Sequence, residues 1–362
     1  MSSVPEINAH RPTPMPTPAR SSTVVMGRQD FVSVVLRLTG VELYKLRRRA
    51  MSKILNIIAL ALISLIFLVI SLGTIFVVNS PVQTFLPPQC SSLRSTSGQI
   101  PAGVSCLNHP PTQQDLAQAA KARQDNLQSI STPLRLPTSL YISVQFMVIV
   151  GLILLVIIAG TIVGGEYSSG TIRLMCTRGP SRIQFLLAKV GAIFAYTLLG
   201  LIVVVLLGVI LSALLNLLSG IPMTFDFLQN GGGVAIVLYL MATFVSLFVY
   251  TMLALFLATF GRATVAGVAG PIVWYILEGI LTSVFGAIGL FVKGPFGDLL
   301  KAVPDYFIGN NVNALLQNIE SRFLGGQAST ISDLHAWLVL LAYIILFIGV
   351  SLWITEHRDI TN

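Results

Sequence analysis

Charge is what this chain has least of. Of 362 residues only 10% are Asp, Glu, Lys or Arg, against roughly 25% in soluble globular domains. That is too few to cover the surface of a water-soluble fold of this length. Acids are scarcer than bases, 14 against 22, which leaves a net charge of +8. Three cysteines are too few for a disulfide scaffold or a thiolate metal site. The four histidines, His10, His109, His335 and His357, are far apart, and HExxH does not occur. No lysine is followed by Ser or Thr and none is preceded by Gly, so the loop that cradles nucleotide phosphates is missing. There is no GxSxG elbow either. The PFGDLL run at Pro295 lacks the upstream glycine of an intramembrane aspartyl protease. These absences leave no enzymatic site legible.

What is present is apolar. Hydrophobic residues make up 54% of the chain and the mean hydropathy is +0.83. About 20 helical residues cross the hydrocarbon of a bilayer, so an apolar run of about 18 or more is a candidate span. Six such runs occur, at about 55–78, 140–163, 190–218, 234–260, 263–290 and 336–354. The expected fold is an all-α membrane protein: six transmembrane helices, an N-terminal interfacial helix, a cytoplasmic coupling helix and two extracytoplasmic segments. Residues 1–28 read as a disordered, Pro-rich cytoplasmic tail. Residues 29–53 read as an amphipathic helix in the headgroup plane, with Phe31, Val34, Val35, Leu38 and Val41 at helical spacing, weakened at Gly40. Residues 54–362 form the six-span domain. The first span begins too late and runs too long for a cleavable signal peptide.

The basic residues argue for membrane rather than nucleic acid. Nine of the 22 precede the first span, and Arg47, Arg48, Arg49 and Lys53 abut it, where anionic headgroups and the positive-inside bias both favour them. By the same bias both termini face the cytoplasm. Of the outside segments, 79–137 carries a helix from Pro111 and 293–333 carries one around Asn311–Phe323. Cys90 and Cys106 share the first segment; in an oxidising space they could pair, and otherwise they are two free thiols. The two-residue link Gly261–Arg262 makes spans four and five antiparallel neighbours. Span five is broken by glycines, so residues 283–292 could turn back as a re-entrant or surface piece rather than continue a straight helix. Gly160 and Gly164 have the spacing of close helix approach. Glu278 is the one acid inside a span; at about 2.5–3.5 kcal/mol for insertion it must face protein or water, either as a structural group or as a proton-handling one.

The stretch from Gly164 to Lys189 combines turn residues, charges and apolar residues the membrane does not need. Ser168, Ser169 and Thr171 can cap a new helix; Ile172, Leu174 and Met175 are apolar; Arg173 and Arg178 flank them; Gly179 and Pro180 stop it. A short helix with apolar residues inside a charged rim has the anatomy of a docking site. The order Glu166, Ser169-Gly170-Thr171, Arg173-Leu174, Arg178, Pro180-Ser181-Arg182 and Lys189 resembles the coupling-helix region of type-2 ATP-binding-cassette (ABC) transporter permeases. The six-span order, the basic VELYKLRRR before span one and Arg358-Asp359-Ile360 after span six resemble that family too.

The resemblance implies a permease subunit in a prokaryotic plasma membrane, more often an exporter, working with a second permease chain and separate ABC ATPase subunits. It implies no cofactor in this chain, with ATP and Mg used by the partner, an unknown exported substrate, and no nucleic acid. Ile172, Leu174 and Met175 are then expected to enter an ATPase groove, with Glu166, Arg173, Arg178 and Arg182 around them. Two other readings stay open: an ion-coupled secondary transporter using Glu278, and a membrane scaffold in an ATPase-linked complex.

Overall fold

The computed structural model describes residues 30–90, 106–170, 181–220 and 225–357. Among these residues the chain is helical throughout, with no strand and one isolated backbone bridge, Gln89 to Leu107. The 1–28 tail, Thr171–Pro180 and the Arg358-Asp359-Ile360 end lie outside the described residues.

The chain opens with α1, Phe31–Arg48, which passes through Gly40 without a break. Arg49 is extended (φ −66°, ψ 128°), and this single residue makes the elbow to α2, Ala50–Asn79. The interfacial segment expected over 29–53 therefore ends at Arg48, and the first spanning helix starts sooner than hydropathy suggests. After the elbow come α3 (Gln113–Ser131), α4 (Thr138–Ser168), α5 (Arg182–Ser219), α6 (Gly232–Gly261) and α7 (Thr264–Phe291). The short α8 (Pro295–Ala302) and α9 (Ile308–Glu320) follow, and α10 (Asp333–His357) ends the described chain. Six of these, α2, α4, α5, α6, α7 and α10, are long and apolar enough to cross a bilayer. The chain is a multi-pass membrane protein.

Local chemistry fixes several ends. Ser181 and Gln184 form a reciprocal capping box at α5, and Gly220 closes the other end in the left-handed conformation (φ +68°). Thr112 and Asp115 do the same for α3. Arg262 takes φ +51° to reverse the chain between α6 and α7, which pack side by side as the short link requires.

Of the two courses open to residues 283–292, the helix takes the straight one: α7 continues through Gly279 and Gly286 to Phe291. A helical glycine costs about 1 kcal/mol, whereas opening the helix inside hydrocarbon strands several backbone groups without partners. The second cost is larger, so the helix persists.

Helix α6 is the hub, with Tyr239, Ala242, Val249, Met252, Ala254, Leu255 and Ala258 all buried. Helices α4, α7, α9 and α10 pack around it. Small residues set the closest approaches. A Cβ added to Gly160 would lie 2.7 Å from the Gly267 carbonyl carbon, and one added to Gly164 would overlap the Thr264 backbone. Lipid tails are as apolar as the helices, so association in the bilayer relies on this close van der Waals fit. Helices α2 and α7 lie at the periphery and turn most of their apolar residues outward.

Candidate functional site

Four charged side chains meet where α1 crosses the bundle. Glu42 and Lys45, three apart on α1, lie on one helix face and pair at 2.7 Å. Lys189, on α5, points between them and α4; its ammonium lies 2.6 Å from Glu166 Oε2 and 3.5 Å from Glu42 Oε2. It also donates to the Ile162 carbonyl at 3.2 Å and sits 4.5 Å from the centre of the Phe185 ring. Lys45 reaches Glu166 Oε1 at 3.5 Å. Glu42, Glu166 and Lys189 are 4%, 5% and 1% exposed. Isolated charges could not be buried at this level, but two carboxylates against two ammonium groups form a neutral, mutually bonded set.

Neighbouring contacts brace the quartet. Arg49 at the elbow donates to the Thr161 carbonyl at 3.4 Å. Thr39 on α1 donates to the Ala188 carbonyl at 3.4 Å and fills the space left by Gly191. Arg182 at the start of α5 donates to the Glu356 carbonyl near the end of α10 at 3.4 Å. A cavity of about 430 Å³ opens beside the quartet, lined by Lys45, Arg49, Thr161, Gly165, Glu166, Ser169 and Thr264. Helices α1, α4, α5, α7 and α10 thus meet at one end of the bundle.

Glu166, expected from the resemblance beside the docking stretch, is buried. Its carboxylate is turned inward, where Lys189 and Lys45 neutralise it. Ser169 bonds back to the Glu166 carbonyl at 3.5 Å, and Gly170 ends α4 with φ +68°. Thr171, Ile172, Arg173, Leu174, Met175 and Arg178 fall outside the described residues. The residues missed from sequence are Glu42 and Lys45, and Lys189, quoted for the resemblance, was given no partner. Two signals could have found them. Glu42 is the lone acid in VELYKLRRR, and Lys189 lies two turns inside α5 rather than at its start, where a cation needs a partner.

A second buried acid lies midway along α7. Glu278 on α7 is 3% exposed and points at the first turn of α9 and at Tyr250 on α6. A Cβ on Gly309 would lie 3.2 Å from Glu278 Oε2 and 3.4 Å from the Tyr250 hydroxyl. The hydroxyl and the Ile308 and Gly309 amides surround the carboxylate, yet neither of its oxygens has a partner of good hydrogen-bond geometry among the described residues. The positive end of α9 offsets part of its burial. Nearby, Asn318 ties α9 to the chain before α10. Its amide donates to the Ile331 carbonyl at 2.8 Å and to Asp333 at 2.9 Å, and it accepts from the Ser329 amide at 2.6 Å. Cys90 and Cys106 are joined in a disulfide. No group of His, Cys, Asp and Glu among the described residues is arranged to hold a metal ion.

No curated protein matches this chain. A family model described as "Protein of unknown function (DUF2705)" matches residues 133–361. Those residues run from just before α4 to the C-terminal end and take in Glu166, Lys189 and Glu278, well over half of the sequence; the chain belongs to the DUF2705 family.

Proposed function

We propose that this protein is the membrane-spanning subunit of an ATP-driven ABC transporter, most simply an exporter, whose ATP hydrolysis is done by separate ATPase chains. The observation that carries the reading is where the buried quartet stands. Glu166 is four residues before Gly170 and Lys189 seven after Arg182, so the two bracket the stretch that resembles a coupling helix. Their 2.6 Å ion pair clamps the ends of α4 and α5 together, and Glu42 adds α1 to the clamp. A push on the intervening stretch would move three helices as one body. Coupling needs this kind of element, one with two packed arrangements that a partner can bias.

In this reading Ile172, Leu174 and Met175 enter the ATPase, Arg173 and Arg178 orient the contact, and Glu166 acts one layer behind it as a positioning residue. Both termini and the quartet face the cytoplasm of a prokaryotic cell, and the Cys90–Cys106 disulfide faces the oxidising side. Two copies of the chain, or this chain and a related one, enclose the substrate path.

The test is co-purification of an ATPase subunit from the native host with tagged protein. The Arg173→Glu/Arg178→Glu variant is expected to lose it, and intact recovery would sink the docking role. In reconstituted vesicles, Glu166→Gln/Lys189→Met should keep the ATPase bound while lowering transport per ATP hydrolysed. A second reading rests on Glu278, a buried carboxylate without well-formed hydrogen bonds among the described residues. If the protein is instead ion-coupled, Glu278→Gln abolishes gradient-driven uptake in vesicles that contain no ATPase; uptake that needs ATP excludes it.

A further inference from the structure

Five cations crowd the elbow between α1 and α2, and the structure divides them. Lys45 turns inward to Glu42 and Glu166, and Arg49 to the Thr161 carbonyl. Arg47, Arg48 and Lys53 turn the other way, and none of them has an acidic partner among the described residues. With Tyr44 they line a separate cavity of about 430 Å³ that no acid among the described residues enters. The Arg48 guanidinium lies 5.2 Å from the centre of the Tyr44 ring, a cation–π contact that holds it toward the cavity. Three unneutralised cations and a phenol around one recess call for an oxyanion with several acceptors.

The surroundings say where that anion comes from. α1 is amphipathic and carries exposed Phe31, Val32, Leu36 and Val41, which suits a helix at headgroup depth. Directly after Lys53, α2 turns Ile54, Ile57, Leu65 and Leu68 outward, with Ile57 66% exposed. A ligand seated in the cavity would therefore have its charge among the guanidinium groups and an apolar wall running away from it. Inorganic phosphate uses only the first feature; a phospholipid uses both.

We propose that the recess formed by Tyr44, Arg47, Arg48 and Lys53 is a binding site for the phosphodiester headgroup of an anionic phospholipid, whose acyl chains lie along α2. The site fixes the elbow at Arg49, and so holds α1 and the quartet at a set depth. It does not depend on the transport reading.

The experiment uses the full chain in a neutral detergent, with thermal unfolding followed as phosphatidylglycerol, phosphatidylcholine or inorganic phosphate is added, and with lipid retention read by native mass spectrometry. Phosphatidylglycerol should raise the melting temperature, and the other two should not. Arg47→Gln/Arg48→Gln/Lys53→Gln should weaken retention on the order of a hundredfold, about fivefold for each cation lost. Lys121→Gln/Lys293→Gln/Lys301→Gln removes the same charge elsewhere and should change nothing. The replaced side chains at the recess are exposed, so the first variant should melt like the unaltered protein without lipid. Retention that survives in the recess variant, or falls equally in the control, overturns the site. An equal effect of inorganic phosphate or of phosphatidylcholine overturns the anionic lipid as its ligand.

Discussion

Replacing Lys189 by Met tests the quartet most directly. Lys189 is 1% exposed and contacts Glu166 at 2.6 Å and Glu42 at 3.5 Å. At an effective dielectric near 20, those attractions are about 6 and about 5 kcal/mol gross. Most of that is cancelled by the desolvation of the ions, several kcal/mol each, so the intact set contributes little net stability. The substitution exposes the other side of the balance. Two buried carboxylates would be left with Lys45 alone, a net charge of −1 in a closed space. Removing one partner of a buried pair in this way costs about 3–5 kcal/mol. For a chain of this size the melting temperature should fall by about 4–7 °C. The assay is thermal unfolding of detergent-purified protein by tryptophan fluorescence, using its three Trp residues.

The decisive comparison is with Glu166→Gln/Lys189→Met. That double variant keeps the 2.7 Å Glu42–Lys45 pair and restores neutrality. It should recover about 2 kcal/mol of the loss, a coupling within the range for residues in one network. If Lys189→Met costs less than about 1 kcal/mol, or if the two substitutions simply add, the quartet is not the electrostatic unit described above.

Three further outcomes follow from other parts of the structure. Gly164→Leu would drive a side chain into the Thr264 backbone; overpacking of this kind costs about 1–3 kcal/mol, and Gly165→Leu, where a Cβ meets nothing within 4 Å, should be milder in the same melt. With Cys90 bonded to Cys106, unreduced protein in denaturant should take up one maleimide and three after reduction, since the sequence holds three cysteines; Cys90→Ser/Cys106→Ser opens a bridge of sequence separation 16, a loss of about 3 kcal/mol on the chain-entropy account. At the start of α3, the hydrogen bond from the Thr112 hydroxyl holds the Asp115 carboxyl below its ordinary range, helped by the Thr112 amide. A carboxyl lowered in the folded state stabilises above its unfolded pKa, and that contribution disappears as pH falls through the folded value. Protection of the amides in the first turn of α3 against exchange should therefore fall on strong acidification, and Thr112→Ala should weaken that pH dependence, leaving the part that the backbone amide of residue 112 supplies.

Much of this protein is decided by sequence alone. Six apolar runs against so few charges determine the helical, membrane-spanning class, because hydrocarbon leaves the backbone no partners but its own. The reversal at Gly261–Arg262 is local and was legible. The helix expected near Asn311–Phe323 occurs at Ile308–Glu320 for the same reason, a periodic apolar face.

Only the tertiary structure settles what the few charges do. Nothing in the spacing of Glu42, Glu166 and Lys189 relates them, since 147 positions separate the first from the last. They meet because α1 folds back over α5, and an ion in that setting must find whichever opposite charge packing brings near. The glycines of α7 illustrate the converse. Read in order they suggest an interruption at residues 283–292, but helix continuity depends on the surrounding medium, which local sequence does not describe. Glu278 stood out in the sequence as the lone acid in a span; its setting, against the first turn of α9 and the Tyr250 hydroxyl, came from packing between helices far apart in the chain.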